Sequence, residues 1–142
     1  PVEELVNEAD QRLAEVEGGS LEKLAGQLYA ERSQKGLGDF PITHRVQGFW
    51  DKSGTEIDLV AFNETTQSIR FASCKRAPRK LLSDVNHFKQ HVERFLKAMP
   101  QYQGWKKELV GISPVLDGEQ RALLKSHDIL PQDLNDLTLG LD

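Results

Sequence analysis

Apolar residues recur at helical spacing over residues 1–17, at Val2, Leu5, Val6, Ala9, Leu13 and Val16. They predict a first helix, which Gly18-Gly19 ends. Ser20 is a good N-cap, and Leu21, Leu24, Ala25, Leu28 and Tyr29 share one face of the helix that follows it. Gly36-Leu37-Gly38-Asp39 breaks this second helix, and Pro41 keeps the chain extended. The pattern then changes period. Residues 42–50 alternate in part, with Val46, Phe49 and Trp50 as their large side chains. Asp51-Lys52-Ser53-Gly54 reads as a turn. Residues 55–63 and 67–75 read as two further strands about a turn at 63–66, so the three strands predict an antiparallel meander.

Pro78 punctuates the chain, and residues 81–99 predict one long helix with Leu81, Leu82, Val85, Phe88, Val92, Phe95, Leu96 and Met99 on its apolar face. Ser83 offers a cap for a shorter version, and Pro100 stops it. Residues 107–113 form a short apolar run that predicts a buried strand. Residues 117–125 predict a short helix flanked by Leu116, Leu123 and Leu124. The tail holds Leu134, Leu137, Leu139 and Leu141 and reads as another short helix or an irregular end. This order implies an α/β domain with a mixed central sheet of about four strands flanked by helices, an αβββαβ core. A crossover through the long helix makes the fourth strand parallel to the third.

Composition narrows the class. The chain has 142 residues, one Cys, 11 Gly and 6 Pro, which fits one domain and excludes a disulfide scaffold or a low-complexity chain. No apolar run approaches the ~20 residues that span a bilayer, so no membrane partner is expected. No signal-peptide pattern opens the chain, and the lone Cys74 fits a reducing, cytoplasmic setting. Pro1 in place of Met is the expectation for a piece of a longer chain. The net charge of −4 hides a segregation: residues 75–107 carry nine bases and two acids (+7), while residues 1–31 carry two bases and eight acids (−6). A basic segment in an acidic chain is the footprint of a phosphate-binding face, or a solvated helix face.

Chemistry gathers on the second and third predicted strands. Side chains two apart share a face, so Glu56 and Asp58 point one way and Ile57 and Leu59 the other. On the next strand Ser73 and Lys75 share a face, with Cys74 opposite as a small core residue. Pairing through the turn brings Asp58 near Ser73 and Lys75. A carboxylate that holds a hard cation beside a lysine that neutralises developing charge suits phosphodiester cleavage. His87 and His91 stand at i and i+4 on the long helix, a spacing that zinc accepts, but no third ligand is evident. Trp50 and Trp105 are candidates for stacking on bases, although core or rim positions suit both better.

The run Phe49-Trp50-Asp51, Glu56-Ile57-Asp58-Leu59-Val60 and Ser73-Cys74-Lys75-Arg76 resembles the PD-(D/E)XK nuclease superfamily. More closely, it resembles the nuclease-like domain of unknown function at the C-terminus of archaeal and bacterial AAA-type ATPases. The resemblance runs from about Ser20 to Gly118. It divides the chain into a helical lead-in, 1–18, and a nuclease-like domain, 19–142. It implies a restriction-endonuclease-like fold and a metal-dependent DNA endonuclease-like function, with Mg²⁺ or Mn²⁺ as cofactor. Asp58 is then the principal metal ligand and Glu22, on the helix before the sheet, a second. Glu56 is an auxiliary acid, and Lys75 acts on the attacking water or the transition state. Lys75, Arg76, Arg79 and Lys80 would hold the DNA backbone. Ser73 departs from the pattern, because it stands where the family has an acid; Glu56, Glu22 and, on the long helix, Glu93 are the candidates to compensate. A degenerate site leaves the alternative of a catalytically inactive nucleic-acid- or protein-binding regulatory module, its ATPase domain in the same polypeptide. No Gly-x-x-x-x-Gly-Lys-Ser/Thr occurs, so no ATP site of that kind is expected in this chain. The acidic first helix and leucine-rich tail leave room for a homo-oligomer.

Overall fold

The structure is a computed structural model that describes residues 20–141. The helix expected at 1–17 lies outside them. Helix α1 (Leu21–Gln34) starts where Ser20 predicts, with the Lys23 amide donating to the Ser20 hydroxyl at 3.3 Å. All five apolar residues of its predicted face are buried. Gly36 and Gly38 end it with positive φ, at 71° and 87°, a conformation other residues adopt only with strain.

The meander follows as β1 (Gln47–Trp50), β2 (Glu56–Asn63) and β3 (Ser68–Cys74), each pair antiparallel. The crossover is two helices, α2 (Pro78–Ser83) and α3 (Val85–Ala98), and not the single one that unbroken periodicity predicts. Pro78 opens α2 at its first turn, where a missing N–H does no harm. Asp84 separates the two with φ −100° and ψ 5°, outside the helical region. Strand β4 (Lys106–Ile112) lies parallel to β3 as expected, and α4 (Gly118–Ser126) follows it. Asp117 and Gln120 cap α4 reciprocally. A fifth strand, β5 (Leu130–Gln132), pairs parallel with β4, and α5 (Leu134–Thr138) closes the described chain. The sheet therefore has five strands in the order β1-β2-β3-β4-β5, one more than the hydrophobic pattern predicts. Pro131 hides the fifth, since proline is tolerated only at such an edge. β1 is also shorter than the predicted 42–50.

Helices cover both faces of the sheet. On one, α1 and α5 enclose Leu24, Leu28, Leu59, Ala61, Val110, Leu134 and Leu137. On the other, α2, α3 and α4 enclose Ile57, Val60, Ile69, Phe71, Phe88, Phe95 and Leu124. The tail leucines are thus mostly core: Leu134 and Leu137 are buried, and Leu139 is exposed. Among the described residues no helix is long and apolar enough to cross a membrane.

Ile57 and Leu59 lie in different cores, against the expectation that they share a face. The pairing explains this. Gln47 faces Val60 and Phe49 faces Ile57, so Asp58 and Leu59 together stand opposite Gly48. This is a β-bulge, which inverts the alternation and re-aims the side chain it contains. Gly48 is the residue that permits it, because a Cβ there would lie 2.9 Å from the Asp58 carbonyl oxygen. Gly48→Ala is expected to cost about 1–3 kcal/mol, read from the denaturant midpoint, since the obstructing atom is backbone and has no rotamer to escape into.

Candidate functional site

Asp58 gains its position from the bulge. Regular pairing of β2 with β3 ends at Leu59 and Ala72. Beyond it the Cys74 amide donates to Asp58 Oδ2 at 2.7 Å, so a side chain takes a bond that the ladder no longer offers. Burial pushes the Asp58 carboxyl above its usual range. The Cys74 amide and Lys75 oppose this, and the charges of Glu22 and Glu56 add to it. Glu22 from the first turn of α1, Glu56 from β2 and Lys75 from the end of β3 therefore all act on Asp58. Burial, Asp58 and Glu22 also hold the Cys74 thiol protonated, which agrees with its expected place in the core.

Lys75 is fixed through its backbone. Its amide donates to the Ile112 carbonyl at 2.9 Å, and its carbonyl accepts from the Ser113 hydroxyl. Its ammonium lies 3.9 Å from Asp84 Oδ2, and both side chains are about one-third exposed. Ser73 is 6% exposed and lines a small polar pocket of about 100 Å³ with Asp58, Lys75, Asp84 and His87. On the other side Asp58, Glu56 and Glu22 line an open cleft of about 830 Å³ between α1 and the β1–β2 edge. Asp58 thus sits where the two cavities meet. Arg76, Arg79 and Lys80 are exposed on the loop and first turns that leave this end of β3.

Glu93 is exposed on α3 and lines neither cavity, so it does not replace the acid absent at Ser73. The histidines make a relay and not a zinc site. The Glu56 amide donates to His91 Nδ1 at 2.8 Å, which leaves the proton of neutral His91 on Nε2. That nitrogen lies 2.9 Å from His87 Nε2, and His87 Nδ1 lies 3.4 Å from Asp84 Oδ1. A cation on His91 Nε2 would demand an imidazolate. Burial, followed by the His87 charge, also holds His91 below the usual imidazole range. Asp84 and His87 line the smaller cavity; Asp84 was not anticipated, and His87 was considered only as a zinc ligand. Their signal is the spacing Asp84, His87, His91 along one helical face.

Among the described residues no three His, Cys, Asp or Glu side chains come close enough together to form a metal cage. The donor set still fits Mg²⁺, which keeps several waters and is held by one or two carboxylates together with substrate phosphate. Asp58, with Oδ1 not engaged by Cys74, and Glu22 are two such carboxylates.

The molecule is thus a mixed α/β domain with a carboxylate–lysine site at one end of its sheet. The chain belongs to a family of archaeal and bacterial proteins of unknown function, DUF234, whose model matches residues 1–82. The matched stretch contains Glu22, Asp58, Ser73 and Lys75 but stops before Asp84. No curated protein and no solved structure matches the chain.

Proposed function

We propose that this is a nuclease-like domain of the PD-(D/E)XK type, with a restriction-endonuclease-like fold and a phosphodiester of DNA as its substrate. The observation that carries the reading is that the bulged Asp58 lines one cavity with Glu22 and Glu56 and a second with Lys75. Asp58 and Glu22 would hold the Mg²⁺ or Mn²⁺, whose chemistry is to polarise the phosphate and acidify water. Lys75, with its backbone clamped between β3 and β4, would neutralise charge that develops on the phosphate. Glu56, exposed and lining the same cleft as Asp58, would orient water. Arg76, Arg79 and Lys80 would track the backbone. An AAA-type ATPase motor in the same polypeptide is the expected partner.

A second reading, a catalytically silent nucleic-acid- or protein-binding regulatory module, is favoured by two features. Lys75 is paired with Asp84, and Ser73 offers no charge to draw a cation to it.

Calorimetric titration of Mn²⁺ separates the two. The first reading expects weak saturable binding by the wild type, loss in Asp58→Ala, and a gain of about ten- to a hundredfold in Ser73→Glu, which restores an acid beside the ligands. Ser73→Asp serves if the larger side chain disturbs the fold by circular dichroism. Heat-free titrations of folded wild type and both Ser73 variants would support the silent module.

A further inference from the structure

Trp50 is 78% exposed, the most exposed of the large apolar side chains among the described residues. Trp105, by contrast, packs edge-on against Tyr102 at 4.9 Å. An indole left in water at the end of an edge strand is unusual, and the turn that follows it is hydrogen-bonded. The Asp51 carboxylate accepts from the Ser53 amide at 3.0 Å and the Thr55 amide at 3.1 Å, and Thr55 is 1% exposed. The turn that follows Trp50 is therefore locked.

Trp50 lines the open cleft together with Asp58 and Glu22, and most of its side chain is in water. The other walls of the cleft present Gln27 and Gln47, whose amides match the edges of bases, and Arg45. Arg45 is exposed, and among the described residues it makes no hydrogen bond or ion pair. An aromatic side chain, two amides and a cation thus line the same cleft as Asp58 and Glu22. The volume of about 830 Å³ lies within the range of ligand pockets and admits a base with its sugar.

We propose that this cleft binds single-stranded nucleic acid, with Trp50 as the platform on which an unpaired base stacks. The inference rests on the nuclease-like reading and gives it a substrate class: a single strand, or the frayed end of a duplex. In an intact duplex both faces of each base are already stacked, so a lone indole has nothing to cover. In a single strand every base offers a free face, and stacking on an aromatic side chain is sequence-tolerant. Arg45 holds the phosphate on the outer side, and the basic stretch after β3 takes the strand beyond Asp58.

The test is fluorescence anisotropy of labelled oligo(dT), the corresponding duplex and an abasic strand of equal length, in EDTA so that no cleavage intervenes. Oligo(dT) is expected to bind most tightly. Trp50→Ala should weaken it by about five- to 150-fold, while Trp50→Phe keeps most of the affinity and the abasic strand is indifferent to both. Equal binding of oligo(dT) by wild type and Trp50→Ala would overturn the proposal. So would a preference for duplex, or indole emission that responds to the chain's own concentration and not to oligonucleotide. Cleavage of plasmid in Mn²⁺ is scored separately. Cleavage lost in Asp58→Ala with no stacking signal leaves the nuclease reading standing and removes this one. Stacking without cleavage does the reverse.

Discussion

Arg70→Ala is expected to lower the stability of the domain by about 3–5 kcal/mol, a large part of what a domain this size possesses. Arg70 lies in β3 with its side chain 3% exposed. Its two terminal nitrogens grip both oxygens of Asp39 at 3.0 Å, Nε donates to Glu108 at 3.2 Å, and Nη1 donates to the Tyr29 hydroxyl at 3.0 Å. The guanidinium also lies 4.8 Å from the centre of the Phe40 ring. One side chain thus joins α1, the loop after it, β3 and β4. Removal leaves Asp39 and Glu108 without their shared cation, and the Tyr29 hydroxyl, pushed up to about 12 chiefly by burial, loses its donor. Arg70→Lys is expected to recover little, because an ammonium does not reproduce the fork.

The pH dependence identifies the cause. Burial would raise the Asp39 carboxyl, but the hydrogen bonds and charge of Arg70 outweigh it and hold it below its usual range. A depressed carboxyl contributes stability that is present above its unfolded pKa and lost as pH falls through the folded one. The difference between wild type and Arg70→Ala, from urea midpoints, should therefore be full at neutral pH and shrink below the ordinary carboxylate range. A difference below about 1 kcal/mol that is flat in pH would mean that the network is no stronger than an exposed pair.

Local signals were legible where one side chain decides the outcome. Ser20 announces α1, and Asp117 caps α4. The run from Glu56 to Asn63 reads as a strand because Ile57, Leu59, Val60, Ala61 and Phe62 make it a short apolar run between two turn signals. What periodicity conceals are interruptions that leave the apolar spacing intact. Leu81, Val85, Phe88, Val92 and Phe95 keep a helical period straight through Asp84, so the break between α2 and α3 leaves no trace. The bulge is similarly silent: Glu56-Ile57-Asp58-Leu59 alternates perfectly on paper. The cause lies on the partner strand, where Gly48 admits a backbone that any side chain would repel. The three-residue β5 carries too few residues for a pattern, and its Pro131 argues against a strand until it is seen at the edge.

The site divides in the same way. Glu56, Asp58, Ser73 and Lys75 were reachable from strand parity and Glu22 only through the family resemblance, and the structure brings all five to the two cavities at one end of the sheet. Parity alone placed Asp58 on a single face, whereas the bulge sets it between two cavities. Asp84 was hidden because its role depends on the helix break that it marks. The lysine expected near Asp58 has its ion pair with Asp84, at 3.9 Å.

Asp58→Asn is the substitution that separates function from stability. The carboxylate is held above its usual range mainly by burial, and an amide removes that penalty while its oxygen still accepts from the Cys74 amide. A carboxyl raised on folding gives stability that is full below its unfolded pKa and lost as pH rises through the folded value. Asn does not titrate. The variant should therefore melt above the wild type at neutral pH, and the two curves should converge as acid protonates Asp58. In the nuclease-like reading the same change removes the principal cation ligand. Loss of several kcal/mol of charge stabilisation at the phosphate corresponds to about 10²–10³-fold in rate. The paired result, a more stable chain with cleavage and Mn²⁺ binding reduced together, is the signature of a carboxylate kept at a cost to folding for its chemistry. Asp58→Ala shares the loss of cation binding without the gain in melting temperature, since the Cys74 amide is then left without an acceptor. Should Asn lower the melting point at neutral pH, the negative charge itself would be holding Lys75 and the end of β3 in place, and Asp58 would be a structural partner of that lysine.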